Sequence, residues 1–124
     1  MLSILIPCYN YKITDLVFSL VKMLGEETIT YEIIVVDNAS TDNSVAILKQ
    51  FSFVEVIQSE TNLGFGKANN IGIQKALEQN FDYYFLLNQD TWIEPDAIQN
   101  LVAVASKNQG QFEFVSFGCV DHAD

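Results

Sequence analysis

The feature that most constrains this 124-residue chain is an alternation: short apolar runs recur between segments whose apolar residues fall every three or four positions. Five runs read as strands: Leu2–Ile6, bounded by Pro7; the β-branched run Tyr31–Asp37, ending on a carboxylate; Phe53–Ile57, alternating and expected nearer an edge; Tyr83–Leu87; and Phe112–Val120. Between them, Ile13, Leu16, Val17, Leu20, Val21 and Leu24 trace one helix face that stops at Gly25. Val45, Leu48 and Phe51 mark a second helix, residues from Lys67 to Gln79 a third, and Ala97, Ile98, Leu101, Val102 and Ala105 a fourth, with Pro95 at its first turn. Strands alternating with helices imply βαβ units with right-handed crossovers. The expected fold is α/β, a three-layer α/β/α arrangement with a mainly parallel sheet of about five strands.

In such sheets ligands bind outside the carboxyl ends of the strands. The run Tyr83-Tyr84-Phe85-Leu86-Leu87-Asn88-Gln89-Asp90-Thr91 delivers Asp90 to that rim, and Asp37 ends the second strand in the same way. Pro7 to Tyr11 and the start of the Asn62-to-Asn70 segment belong there too. A carboxylate such as Asp37 accepts two hydrogen bonds in one plane, which suits a base N–H or a ribose hydroxyl. It equally suits a cap on the following helix. Gly64 and Gly66 lack a Cβ, so the chain can take positive φ there and approach a ligand closely. Asn69, Asn70 and Gly72 are unexpected helix formers, which points to capping or to a contact outside the helix.

Composition narrows the ligand. Six lysines, no arginine and sixteen acidic residues give a net charge of -10, which excludes a nucleic-acid partner because no basic patch can neutralise a phosphate backbone. A phosphorylated ligand must then be held by backbone N–H groups, helix N-termini, a lysine or a bridging divalent cation. Cys8 and Cys119 make no disulfide framework and read as reduced thiols of a cytoplasmic protein. No apolar run approaches a membrane span.

Four stretches in this order resemble the family 2 glycosyltransferases, inverting nucleotide-sugar enzymes with a GT-A fold. They are Ile4-Leu5-Ile6-Pro7-Cys8-Tyr9-Asn10, Val35-Val36-Asp37-Asn38-Ala39-Ser40-Thr41-Asp42, Asn62-Leu63-Gly64-Phe65-Gly66-Lys67-Ala68-Asn69-Asn70, and Leu86-Leu87-Asn88-Gln89-Asp90-Thr91. The third and fourth look most like the branch containing rhamnosyltransferases and similar polysaccharide-assembly enzymes. The resemblance implies that Pro7, Tyr9 and Asn10 line the nucleobase and ribose, and that Asp37 hydrogen-bonds the nucleoside. It further implies that Asn62, Gly66 and Asn70 flank the nucleotide and that Asn88 and Asp90 face the donor. Asp90 matches the last carboxylate of the family's D-x-D element, which binds Mn²⁺ or Mg²⁺ bridging the donor diphosphate.

The chain departs from the pattern in two places. Asn88 replaces the first carboxylate of D-x-D, so cation affinity without nucleotide is expected to be weak; Asn69 stands where many relatives carry arginine. The resemblance implies a UDP- or dTDP-linked donor and a saccharide or lipid-linked saccharide acceptor, in surface polysaccharide synthesis at the inner face of the membrane. Family enzymes continue past the fifth strand into an acceptor-binding half with the general base, and Asp121, His122 and Asp124 read only as a solvated tail. Residues 1–124 are therefore expected to form one donor-binding domain ending before that half, inactive by itself and with no assignable catalytic residue. A face left uncovered there would favour a homodimer. The alternative is a non-catalytic interaction or regulatory module that keeps the fold. A dinucleotide-binding dehydrogenase ranks below both, since Gly64-Phe65-Gly66 is only part of that fingerprint and follows the third strand.

Overall fold

The computed structural model describes residues 2–25, 30–79, 81, 83–91, 93, 94 and 96–107. Its elements run β1 (Leu2–Cys8), α1 (Thr14–Gly25), β2 (Tyr31–Asp37), α2 (Ser44–Leu48), β3 (Val54–Gln58), α3 (Phe65–Glu78), β4 (Tyr83–Leu86) and α4 (Ala97–Lys107). The strand expected over Phe112–Val120 lies outside the described residues, as do Cys119, Asp121, His122 and Asp124. The sheet therefore has four described strands, in the order β3-β2-β1-β4, every neighbouring pair parallel.

The chain packs as two units, Met1–Trp92 and Ile93–Asp124. In the first, β1 to β2 to β3 steps across the sheet in one direction, so right-handed crossovers put α1 and α2 on one face; the return from β3 to β4 puts α3 on the other. Side-chain alternation agrees. Leu5, Ile34 and Val36 share the α3 face and form a core with Ala68 and Ala76. Ile4, Ile6, Ile33 and Val35 point the opposite way and are as fully buried as Val17 and Leu20 of α1. Burying each such side chain contributes roughly 1.5–3 kcal/mol. Phe51, expected in the second helix, lies just beyond the five-residue α2 and meets Phe18 of α1 edge-on at 5.2 Å.

Helix α3 lies close to the sheet because Ala68, Gly72 and Ala76 recur every fourth position on its inner face. A Cβ on Gly72 would already touch Leu5 Cδ2 at 3.4 Å and Val36 Cγ2 at 3.5 Å. Close packing thus accounts for a glycine that propensity disfavours. In the second unit, α4 is entered by a turn in which the Ala97 N–H donates to the Glu94 carbonyl, and Ile98 is buried.

The two seams beside β1 differ in length. With β2 the register runs from Leu2↔Tyr31 to Cys8↔Asp37, whereas with β4 it stops at Leu5↔Leu86. Pro7 supplies the reason. The polar groups of successive strand residues point to alternate sides. The Leu5 carbonyl accepts from Leu87 N–H on the β4 side, and the Cys8 carbonyl accepts from Asn38 N–H on the β2 side. By the same alternation Pro7 faces β4, where it has no N–H to offer. This corrects the expectation that β1 ends before Pro7: the strand continues along β2 and is interrupted only towards β4.

Candidate active site at the opened seam

Where β1 and β4 part, the strand order also reverses, and a cleft of about 370 Å³ opens at the carboxyl ends of the strands. One wall is Pro7, Cys8 and Tyr9; the other is Asn88, Gln89 and Asp90 from the turn after β4. Asn38, following β2, and Asn62, Gly64 and Phe65, entering α3, complete it. Four of these lining residues are neutral amides, and Asp90 is the one charged side chain among them.

Three amide side chains knit the loops around this cleft. Gln89 Oε1 accepts from the Tyr9 N–H at 2.8 Å, joining the two walls. Asn38, only 4% exposed, accepts from Leu63 N–H at 3.2 Å and donates to the Gly64 carbonyl at 3.3 Å, fixing the α3 entry loop to the end of β2. Asn10 does the same for the loops after β1 and β2: its Oδ1 accepts from the N–H groups of Thr41 at 2.7 Å and Asp42 at 3.3 Å, and its own N–H donates to Ser40 Oγ at 3.0 Å. The left-handed backbone of Asn10, φ 45°, is one that asparagine tolerates better than most residues.

Gly64 enters α3 at φ 84°, ψ 171°, a conformation essentially confined to glycine, and its N–H donates to Asn62 Oδ1 at 2.9 Å. Gly66 is already helical. The first turn of α3 thereby begins at the cleft, with Gly64 and Phe65 in its wall.

The sequence-derived site residues separate into two groups. Pro7, Tyr9, Asn62, Asn88 and Asp90 line the cleft; Asn10, Asp37, Gly66 and Asn70 are not part of its lining. The Asp37 carboxylate is 1% exposed and accepts from both the N–H and the hydroxyl of Ser40, so its hydrogen bonds are used inside its own turn. Asn70 is exposed on α3, and Asn69 is buried there with its Oδ1 lacking a hydrogen-bond partner among the described residues. Conversely, Asn38 and Gln89 line the cleft without having been singled out, and Cys8 and Phe65 line it from within stretches expected at the rim. The available signal for Asn38 and Gln89 was position alone, an amide beside each strand-terminal acid.

The Cys8 thiol is buried and pushed up to about 11 from an ordinary 9.0, first by burial and then by the negative charges of Asp37 and Asp42. It is a poor nucleophile at neutral pH. Among the described residues no group of three or more His, Cys, Asp or Glu side chains is placed to hold a metal ion. A cation at this cleft would meet a single carboxylate, Asp90, and neutral amide oxygens. That donor set suits Mg²⁺ or Mn²⁺ only when a ligand brings further oxygens.

Residues 3–121 match the family described as Glycosyl transferase family 2. The chain belongs to that family. A relative from Haemophilus influenzae, an uncharacterized glycosyltransferase, is 33% identical over 110 residues, covering 87% of this chain and 35% of its own length. The poly-β-1,6-N-acetyl-D-glucosamine synthase of Staphylococcus epidermidis is 31% identical over 110 residues, 86% of this chain and 26% of the synthase. The chain thus spans well under half the length of the curated relatives it matches. Among solved structures, S. aureus TarS 1–349 in complex with UDP-GlcNAc superposes with a TM-score of 0.72 at 27% identity, over 86% of this chain and 31% of that one. A mannosyltransferase from Pyrobaculum calidifontis in complex with GDP-Man and Mn²⁺ shares the fold, with a TM-score of 0.64 at 20% identity over 85% and 32% of the two chains. Membership of the family and the GT-A fold are what the four sequence motifs implied. Among the described residues no helix is long and apolar enough to cross a membrane.

Proposed function

We propose that this chain is the donor-binding part of an inverting glycosyltransferase that takes a sugar from a UDP- or dTDP-linked donor and passes it to a saccharide or lipid-linked saccharide hydroxyl. The observation that carries this reading is the cleft itself: it lies at the reversal point of a GT-A sheet, is walled by amides and holds one carboxylate. The amide side chains of Asn62 and Asn88 suit the edge of a base and the hydroxyls of a ribose. The first turn of α3 offers unpaired N–H groups to phosphate oxygens. Asp90, with Asn88 beside it, would hold Mn²⁺ or Mg²⁺ together with the donor's own oxygens. When bound, such an ion supplies charge neutralisation of the departing diphosphate.

With no lysine in the lining, a diphosphate meets Asp90 unscreened unless a cation accompanies it. Donor binding is therefore expected to depend on the cation. The names of TarS, solved with UDP-GlcNAc, and of the Staphylococcus epidermidis polymer synthase support a uridine donor and a role in assembling surface polysaccharide. The mannosyltransferase solved with Mn²⁺ supports the choice of ion. Calorimetry with UDP, dTDP and GDP, each with and without Mn²⁺, tests the reading. Binding of a uridine or thymidine diphosphate that needs the cation is the expected result; equal binding without it, or none to any nucleotide, removes the role given to Asp90.

A further inference from the structure

The hydrogen bond between the Tyr9 N–H and Gln89 Oε1 spans 80 positions of sequence and crosses the cleft mouth. Its place in the sheet gives it meaning. Leu5, Pro7 and Tyr9 are the β1-side residues whose polar groups face β4, by the alternation that Leu5 and Cys8 fix. Leu5 is paired by Leu87, and Pro7 cannot donate, so the ladder stops. Tyr9 is the next residue on that side with a donor, and it is met by the side chain of Gln89 in place of a backbone carbonyl.

We propose that Gln89 is a positioning residue: its side chain replaces the missing rung of the β1–β4 ladder and so sets the spacing between Tyr9 and Asp90 on the two walls of the cleft. Asp90 follows Gln89 directly, so a fixed Gln89 limits where the Asp90 carboxylate can reach. The role also accounts for an amide at this position. An aliphatic side chain offers no acceptor, and asparagine is shorter by one methylene. This inference rests on the reading of the cleft as the donor site only for its effect on nucleotide affinity; the clamp itself is independent of it.

Two variants and two measurements test the proposal. In Gln89→Leu, amide hydrogen exchange at Tyr9 should accelerate roughly tenfold or more while Leu5 and Ile6, inside the ladder, keep their protection. Affinity for UDP with Mn²⁺ should fall about fivefold, the equivalent of one neutral hydrogen bond, with the thermal midpoint lowered by no more than about 4 °C. Gln89→Glu keeps an acceptor oxygen and should restore protection at Tyr9. Unchanged exchange at Tyr9 in the leucine variant overturns the clamp. Protection lost evenly along β1 also overturns it, since that would mark a general contribution to stability. Faster exchange at Tyr9 with undiminished affinity overturns the positioning role. A wild-type protein that binds no nucleotide instead defeats the donor reading, and the exchange at Tyr9 still decides the clamp.

Discussion

The seam between β1 and β2 and the seam between β1 and β4 begin alike and end differently. The first is paired from Leu2 to Cys8 and is then sealed by Asn10, whose side chain and N–H bind Ser40, Thr41 and Asp42. The second is paired only to Leu5, and past Pro7, among the described residues, a single side-chain hydrogen bond crosses it. The consequence is a division of labour among polar groups of similar kind. Asp37, at the sealed seam, has its carboxylate engaged by Ser40, while Asp90, at the open one, is exposed in a cleft wall. Two carboxylates that look equivalent as strand-terminal acids are therefore offered to a ligand very unequally.

Substitutions that separate binding from stability can break this contrast. The largest effect is expected at Asp90→Asn, which keeps size and removes charge: cation-dependent affinity for UDP should fall on the order of 100-fold in calorimetry, with the unfolding free energy unchanged. A loss of stability there, or full affinity, would erase the distinction between the seams. Next, Asn10→Ala should lower the unfolding free energy by about 1–2 kcal/mol in denaturant titrations, because it removes the bonds to Thr41 and Asp42 and leaves alanine at φ 45°. Its nucleotide affinity should change far less than that of the Asp90 variant.

The smallest expected effect is confined to alkaline solution and concerns Cys8, which sits on the sealed seam and also lines the cleft. Its folded-state value of about 11 lies above the ordinary 9.0, so the folded protein holds this proton more tightly than the unfolded chain. The associated stability is complete below about pH 9 and is lost as the pH rises towards 11. Unfolding followed across that window should show the slope in the wild type and a flatter one in Cys8→Ala. Equal slopes would mean that the thiol is not held neutral by its surroundings.

The elements were largely legible because each carries its own periodicity. β1, β2 and α1 declare themselves through β-branched runs and a three-four spacing, and their observed spans follow it closely. Where local pattern was a poor guide, packing had intervened. Phe51 continues a helical spacing but belongs after α2, where it is held by Phe18, and Gly72 weakens a helix that needs it for close approach to Leu5. The cleft was legible as a rim rather than as a set of contacts. Pro7, Tyr9, Asn62, Asn88 and Asp90 come to it from their places at element ends, yet nothing in the sequence distinguishes them from Asn10, whose side chain is used up in bracing the loops.

By itself the sequence determined the βαβ order, the acid that ends β2 and the one in the turn after β4, and the one proline able to interrupt a central strand, since these depend on residue type and spacing along the chain. Only the tertiary structure decided which neighbour that proline faces, hence which seam opens, and which of the surrounding amides spend their hydrogen bonds on other loops. Those outcomes depend on strand order and on partners some 80 positions apart, and no local pattern carries that information.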